Sequence, residues 1–180
     1  MFHIRHAVLQ DAEAIANVHV ASWRTTYRGV VPDSYLSDLS AQKRAEMWKR
    51  QLSGTEQSMN IFVAETEQGE IIGFASGGRS RSDQLPYEGE LYAIYLLEVY
   101  QRLGIGRKLM LSVGSQLRET GYRSMLVWAL EDNGYCAFYE SLGGESTAYE
   151  DVEIGGISLR EVGYGWDDLD ALILNLERSA

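Results

Sequence analysis

Residues 90–110 read ELYAIYLLEVYQRLGIGRKLM, and this stretch decides the fold. Its first part, Glu90–Leu96, is almost continuously apolar or aromatic, which is typical of a central strand covered on both faces. After the turn Gln101–Gly104, apolar residues recur at every fourth position from Ile105 to Leu117, which predicts a helix. The stretch therefore predicts a buried strand that runs through a glycine-containing turn into a helix.

Turn residues and hydrophobic periodicity predict the elements on either side of this stretch. On the amino-terminal side they are a strand Phe2–Ala7, a helix capped by Asp11 and ending near Trp23, a loop Trp23–Tyr35, a helix from Ser40 to about Leu52, and paired strands Asn60–Glu65 and Ile71–Gly77. On the carboxyl-terminal side they are a strand Ser124–Leu130, a helix Asn133 to about Leu142, a hairpin of Tyr149–Ile154 with Ser158–Tyr164, and a possible helix Asp168–Glu177.

This order of elements combines hairpins with one parallel crossover, so we expect a mixed α/β domain. The prediction is a twisted sheet of about seven strands flanked by about four helices. At 180 residues, without a linker or an internal repeat, the chain is predicted to be one domain over 1–180.

The composition narrows the possible functions. The net charge is −10 and no basic stripe is present, which argues against nucleic acid and anionic lipid as partners. No apolar run has the length of a membrane span and no signal peptide is evident, so a cytoplasmic protein is expected. Cys136 is the only cysteine, and the three histidines have no partners at metal-ligand spacing, so no metal is expected.

The glycine turn has the properties of an anion-binding loop. Free amides at a helix start carry partial positive charge, and Gly104 and Gly106 lack side chains that would keep a pyrophosphate away. Arg102, Arg107 and Lys108 add cations. The letters match neither the Walker pattern nor the dinucleotide-binding pattern. Taken alone, the turn is explained equally well by close packing of a strand on a helix.

Two motifs together carry a resemblance to a known family. Gln101-Arg102-Leu103-Gly104-Ile105-Gly106 is similar to the central motif of the GCN5-related N-acetyltransferases, Gln/Arg-x-x-Gly-x-Gly/Ala. Further along, the segment 133–143 with Asn133, Tyr139 and Gly143 resembles the family's Asn-x-x-x-x-x-Tyr-x-x-x-Gly helix. The resemblance covers about residues 2–166, leaves 167–180 as a carboxyl-terminal extension, and implies the acyl-CoA N-acyltransferase fold.

The resemblance also implies a donor, acetyl-CoA, and the residues that bind it. A bulge in the central strand would splay it from the next strand and open a slot for the pantetheine arm. Backbone groups of Ile94, Tyr95 and Leu96 would hold this arm from one side, and Asn133 from the other. The pyrophosphate would bind the turn, whose residues are Gln101, Arg102, Leu103, Gly104, Ile105, Gly106 and Arg107.

The resemblance assigns Tyr139 to protonation of the departing thiolate, although a tyrosine on a short helix is commonly a core residue. An alkyl amine also needs a base, because its unperturbed pKa is roughly 10. Glu90 occupies a position where several family members have a glutamate, and it is the candidate base, directly or through a water. Ordered water or the substrate's own protonation equilibrium could serve instead. Cys136 has no histidine nearby in sequence and is expected to be a small buried residue.

The expected function is an acetyl-CoA-dependent N-acetyltransferase that acts on a primary amine in a ternary complex. Trp23 and Tyr27 lie where family members build the acceptor pocket. They either contact the substrate or pack between the first two helices and hold them together. The acidic end of the chain favours a polyamine or other small cationic amine over a protein amino terminus or lysine. A noncatalytic acyl-CoA sensor and a nucleotide-binding protein stay open as alternatives, and the extension could pack internally or join a homodimer.

Overall fold

The computed structural model describes residues 1–54 and 60–178 and contains one seven-stranded sheet. The strands are β1 (Phe2–His6), β2 (Asn60–Thr66), β3 (Ile71–Arg79), β4 (Gly89–Leu96), β5 (Met125–Leu130), β6 (Glu145–Ile154) and β7 (Ile157–Trp166), in the spatial order β1-β2-β3-β4-β5-β7-β6. Only β4 and β5 pair in parallel, and every other neighbouring pair is antiparallel. The mixed sheet of seven strands and the α/β class are confirmed.

Six α-helices lie in the described residues, two more than the predicted number of about four. They are α1 (Ala12–Thr26), α2 (Asp33–Asp38), α3 (Ala41–Leu52), α4 (Ile105–Glu119), α5 (Cys136–Ser141) and α6 (Leu169–Arg178). No helix among them has the length and apolar character needed to cross a membrane.

The two faces of the sheet carry separate cores. Ile61 and Val63 of β2 pack in the cluster of α1 and α3, whereas Phe62 and Ala64 pack in the cluster of α4 and α6. This alternation follows from the two-residue period of a strand, which sends successive side chains to opposite faces. The sheet is thus a middle layer between two layers of helices.

The first half of the chain departs from the prediction in two elements. Helix α1 continues to Thr26 instead of ending near Trp23, and α2 occupies part of the predicted loop Trp23–Tyr35. Gly29 and Pro32 suggested a loop throughout, but both lie between the two helices. The short α2 buries one large apolar side chain, that of Leu36, so it leaves no periodic pattern.

Asp11 and Ser40 both precede helices but use their side chains differently. The hydroxyl of Ser40 accepts a hydrogen bond from the amide of Lys43 at 3.2 Å, so the predicted cap of α3 is confirmed. Asp11 precedes α1 without capping it, because Arg5 donates to both of its carboxylate oxygens, at 2.6 and 2.9 Å. The side chain of Asp11 therefore ties β1 to the start of α1.

The carboxyl-terminal extension packs internally, which was one of its two predicted arrangements. Four apolar side chains of α6 are buried, and three of them, Leu169, Leu172 and Leu176, belong to the same core cluster as Leu109 and Val113 of α4. The Arg107 guanidinium at the start of α4 donates to the backbone carbonyl of Asn175 at 3.2 Å. Helix α6 therefore supports the helix that begins at the glycine turn.

A bulge in β4 shapes the centre of the sheet. In the pairing of β3 with β4, Ser76 lies opposite Ala93 but Gly77 lies opposite Leu91, so Tyr92 is the extra residue. β4 pairs with β5 only over Gly89–Leu91, and the two strands then diverge. The bulge and the splay expected in the central strand are confirmed, and among the described residues no strand lies beside one edge of β4 beyond Leu91.

Candidate active site

The divergence of β4 and β5 opens a cleft of about 520 Å3, termed the donor cleft here. Its walls come from β4, the glycine turn, β5 and α5. The residues predicted to bind acetyl-CoA line it, except for Leu103, which is exposed outside it, and Ile105, which is buried in the core: those in the lining are Ile94, Tyr95, Leu96, Gln101, Arg102, Gly104, Gly106, Arg107 and Asn133. The structure thus gathers residues from three separate segments into one cleft.

The glycine turn presents backbone N–H groups at one end of this cleft. The amide of Lys108 donates to the carbonyl of Gly104 at 3.2 Å and makes the first hydrogen bond of α4. Within the described residues, the amides from Arg102 to Arg107 donate to no carbonyl or side chain. These free amides at the positive end of a 15-residue helix form an anion-binding site.

The backbone of the turn is held in a tight shape. Gly104 has a φ of 81°, which glycine adopts without the clash that other residues meet. Arg102 has a φ of 61°, the one positive value for a non-glycine residue in the described chain. Such conformations cost energy and cluster at ligand-binding loops. The strained Arg102 is therefore consistent with a turn shaped for a ligand.

Gly106 faces the donor cleft and has room for a side chain on the protein side. A Cβ built on this residue would lie 3.6 Å from the nearest atom, in the ring of Phe138, which is an ordinary contact distance. Packing of the protein therefore does not require glycine here. Close approach of a ligand to the backbone does explain it.

Tyr139 lies on α5 and reaches the inner part of the donor cleft. Its side chain is 7% exposed, and its ring lies 5.6 Å from that of Tyr164 and 5.4 Å from that of Phe138. Burial raises the pKa of the Tyr139 hydroxyl well above its usual value. The phenol thus keeps its proton across the physiological pH range and can donate it.

The other predicted residues at this end of the cleft have identifiable contacts. Asn133 accepts a hydrogen bond from the amide of Tyr135 at 3.0 Å, which fixes the turn that begins α5. The Tyr135 hydroxyl donates to the side chain of Gln101 at 2.7 Å. Since Gln101 belongs to the glycine turn, this bond links the turn to the segment before α5. Cys136 is half-buried, and burial raises the pKa of its thiol, so the thiolate form needed for nucleophilic attack is disfavoured.

A second cleft of about 690 Å3, termed the acceptor cleft here, opens on the sheet face next to α1. The two clefts share the residues at the point where β4 and β5 diverge: Tyr27, Tyr92, Tyr95, Trp128 and Ala129. The lining of the acceptor cleft carries four carboxylates, Asp83, Glu90, Glu150 and Glu161, against the single guanidinium of Arg81. Its charge favours a cationic ligand.

Glu90 lies at the acceptor cleft, but its carboxylate is already occupied. It is 1% exposed and accepts hydrogen bonds from the backbone amide of Arg81 at 2.8 Å and from Nε of Arg81 at 3.0 Å. A second guanidinium nitrogen forms a short contact with the same carboxylate. The Arg81 guanidinium also lies 4.6 Å from the ring centre of Tyr92. These contacts argue against the predicted role of Glu90 as a free base.

Trp23 and Tyr27 also line the acceptor cleft, and Tyr27 lies at its junction with the donor cleft. Their ring centroids are 4.7 Å apart in an edge-to-face arrangement. Tyr27 belongs to a small core cluster with Val31 and Leu36, so it also holds the α1–α2 segment on the sheet. The two predicted roles of these rings, packing and substrate contact, are therefore compatible.

Sequence reasoning missed several residues of the acceptor cleft. Arg81 lies in a polar loop, and Glu161 looks like one more acid in an acidic tail. Trp128 lies inside a strand that was assigned only to the core. No short motif joins these positions, because the sheet brings them together across long separations. The one local signal was the position of Glu161 in β7. It lies between the exposed Arg160 and the buried Val162, where strand alternation can direct an acid onto a face of the sheet.

Comparisons with known proteins give consistent matches. A family model described as Acetyltransferase (GNAT) family matches residues 19–144. The protein described as uncharacterized N-acetyltransferase YuaI, from Bacillus subtilis (strain 168), is 46% identical over 179 residues, which span 99% of this chain and 100% of the relative.

Solved structures share the fold at lower identity. The PaiA N-acetyltransferase from Thermoplasma acidophilum, in complex with coenzyme A, has a TM-score of 0.70 and 21% identity, covering 89% of this chain and 98% of its own. The YncA protein from Salmonella typhimurium, with acetyl-CoA, has a TM-score of 0.68 and 24% identity, covering 94% and 95% respectively.

Proposed function

The chain belongs to the GNAT acetyltransferase family, and from this premise we propose that it transfers the acetyl group of acetyl-CoA to a primary amine by direct attack in a ternary complex. The single observation that carries the proposal is the cleft between the diverging strands β4 and β5. It has unpaired helix-start amides at one end and the hydroxyl-bearing Tyr139 in its wall. Related structures solved with coenzyme A or acetyl-CoA support the same donor.

The donor is held by backbone groups along the cleft. The unpaired edge of β4 at Ile94–Leu96 offers the pantetheine arm the hydrogen bonds of an added strand. The amides from Arg102 to Arg107 receive the pyrophosphate, and the charges of Arg102 and Arg107 add to the attraction. Asn133 contacts the arm from the opposite wall. This arrangement places the thioester towards the inner end of the cleft, where Tyr139 lies.

Tyr139 acts as the general acid. When the amine nitrogen attacks the thioester carbonyl, the new C–N bond forms, the C–S bond breaks and the sulfur leaves as a thiolate. Tyr139 supplies the proton that converts it to the thiol. The raised pKa of its hydroxyl supports this role, because the group remains protonated until the thiolate develops.

The acceptor is a polyamine or another small cationic amine. The acceptor cleft carries more carboxylates than cations, and Trp23 and Tyr27 in its lining are aromatic rings that can contact an ammonium group. The amine reaches the thioester at the residues that both clefts share. The net charge of −10 attracts such a substrate over longer distances.

A thiol-release assay with acetyl-CoA tests this function. The acceptor panel includes spermidine, a monoamine, a free amino acid and a peptide with an unblocked amino terminus. We expect thiol release with the polyamine and a weaker signal with the neutral-flanked peptide. Binding of coenzyme A without thiol release from any amine would favour a noncatalytic acyl-CoA sensor. Efficient reaction of the peptide with spermidine inert would contradict the acceptor class.

A further inference from the structure

We propose that Glu161 is the general base that takes the proton from the acceptor ammonium in this reaction. The inference rests on the proposed function and adds a catalytic residue that its sequence motifs do not contain. Glu161 lies on β7, two strands from the glycine turn in the sheet order. Its side chain lines the acceptor cleft, where the amine binds in the proposed reaction.

The buried carboxylate at this cleft, that of Glu90, is already paired. Arg81 holds Glu90 through its backbone amide and two guanidinium nitrogens. These donors engage both of its oxygens, so the carboxylate is not free to contact an acceptor ammonium. The remaining acids that line the cleft are Asp83, Glu150 and Glu161.

Glu161 has a free carboxylate that faces the cleft. Within the described residues, no hydrogen bond or ion pair reaches it. Its neighbour Val162 points into the core beneath α4, so strand alternation directs Glu161 to the opposite face, where the acceptor cleft opens. Leu130 of β5 lies directly across from it in the sheet. Glu161 thus stands beside the strand that forms one wall of the donor cleft.

The surroundings adjust Glu161 for proton transfer. Burial, followed by the charge of Glu150, raises the pKa of the Glu161 carboxyl above its usual value. Glu150 is its direct cross-strand partner on β6. The charged and titratable groups facing Glu161 are Glu150 of β6, Arg81 of the β3–β4 loop, Glu90 and Tyr95 of β4, and Tyr27 after α1. A carboxylate between like charges binds a proton more tightly than a solvated one.

Tyr27 connects the proposed base to the donor side. Its buried hydroxyl lies within electrostatic range of both Tyr139 and Glu161. Tyr27 also lines both clefts. Tyr139 therefore lines the donor cleft and Glu161 lines the acceptor cleft, and the two clefts meet at the residues that they share.

The proton balance of the reaction is then complete. The acceptor enters as R-NH3+, and Glu161 takes one proton to give R-NH2. The amine lone pair forms the C–N bond, the C–S bond breaks, and Tyr139 protonates the thiolate. The nitrogen of the new amide gives its second proton to the tyrosinate, which restores Tyr139, and Glu161 returns its proton to solvent, so each turnover releases one proton.

The test is the pH dependence of kcat/KM for Glu161→Gln. For the wild-type chain we expect an acid limb with an apparent pKa above about 4.3, the ordinary value for glutamate. Glu161→Gln should lower kcat/KM by about a hundredfold near neutral pH, and the deficit should shrink as the pH approaches the amine pKa of roughly 10. Its affinity for coenzyme A, measured by calorimetry, should be unchanged.

Two further variants separate this role from a structural one. Glu150→Gln should move the acid limb to lower pH, because it removes the like charge that raises the Glu161 pKa. Glu153→Gln, on the exposed part of the same strand, should match the wild type throughout. A Glu161→Gln chain with wild-type kcat/KM and an unchanged acid limb would overturn the inference and leave the proposed function intact. A wild-type chain that releases no thiol with any amine would instead refute the proposed function itself.

Discussion

A substitution at Gly106 can change ligand binding without disturbing the packing of the protein. A methyl group on this residue meets only the Phe138 ring, at ordinary contact distance, so Gly106→Ala should leave the fold unstrained. We expect the free energy of unfolding to rise by about 0.5 kcal/mol, because alanine loses less conformational entropy than glycine. The affinity of Gly106→Ala for acetyl-CoA should change only slightly, because the family motif also allows alanine here, whereas the larger side chain of Gly106→Leu should meet the pyrophosphate and lower the affinity at least about tenfold, or about 1.4 kcal/mol.

Calorimetry and thermal unfolding of the same preparation measure both effects for each Gly106 variant. Gly114→Ala is the matched control, since it lies on the same helix away from the donor cleft. A Gly106→Leu variant with the wild-type affinity for acetyl-CoA would contradict the placement of the pyrophosphate.

Tyr139 and Tyr164 allow a comparison of two tyrosines in one cluster. Their rings are 5.6 Å apart, but only Tyr139 lines the donor cleft, and the Tyr164 hydroxyl donates to Glu140 at 3.1 Å. Tyr139→Phe should lower kcat by about a hundredfold through loss of the proton donor, with unchanged affinity for coenzyme A. Tyr164→Phe should retain kcat within about threefold. Full turnover by Tyr139→Phe at neutral pH would remove its role as the acid.

His19 makes stability depend on pH. It is 7% exposed, its ring stacks on Tyr95 at 5.0 Å, and burial, with the charge of Arg44, lowers its pKa to about 3. Below about pH 6.5 the unfolded chain binds this proton while the folded chain does not, so stability is lost as the pH falls.

A His19→Phe variant isolates this effect. Between about pH 6.5 and 4.5 the wild type should lose about 2 kcal/mol more of its free energy of unfolding than the variant does. Urea unfolding at several pH values measures the difference. Parallel stability curves for the two proteins would show that His19 can be protonated in the folded state.

The contact between α4 and the sheet leaves no room beside β3. A Cβ on Gly77 would lie 2.5 Å from a methyl group of Val113 and 2.8 Å from the carbonyl oxygen of Glu90. A Cβ on Gly114, on the α6 side of the same helix, would lie 3.7 Å from Ile173. We therefore expect Gly77→Ala to destabilise the fold by about 1–3 kcal/mol and Gly114→Ala to stabilise it by about 0.5–1 kcal/mol.

Chemical denaturation of both glycine variants checks this contrast. Since Gly77 is next to the bulge, its variant should also lose affinity for acetyl-CoA through displacement of β4. Equal stability of the two variants would contradict the close packing of α4 on β3.

The elements differ in how well the sequence predicted them. β4 and α4 were predicted closely, because a buried strand, a glycine turn and a four-residue spacing each leave a strong local pattern. Helix α2 was missed because a six-residue helix with one large buried side chain has no measurable period. The end of α1 was placed too early, because Gly29 and Pro32 indicate a break without fixing its first residue.

Across the molecule, the donor side was more predictable than the acceptor side, of which Trp23, Tyr27 and Glu90 were named from the sequence. The donor cleft is built around one turn, so Gly104, Gly106 and Tyr139 stand in two short motifs. The acceptor cleft combines Arg81, Tyr92 and Glu161 from different strands and loops, which only the sheet order brings together. The negative charge of the whole chain did not indicate which acids line a cleft.

The proposed function depends most on the glycine turn as a diphosphate site, and calorimetric titration tests this most directly. Acetyl-CoA and S-acetylpantetheine share the thioester arm, but only acetyl-CoA carries the diphosphate. We expect acetyl-CoA to bind at one site per chain and S-acetylpantetheine to bind at least about a hundredfold more weakly, since two charge-assisted hydrogen bonds contribute about 3 kcal/mol or more. Equal affinity for the two ligands, or no heat with acetyl-CoA, would contradict the account.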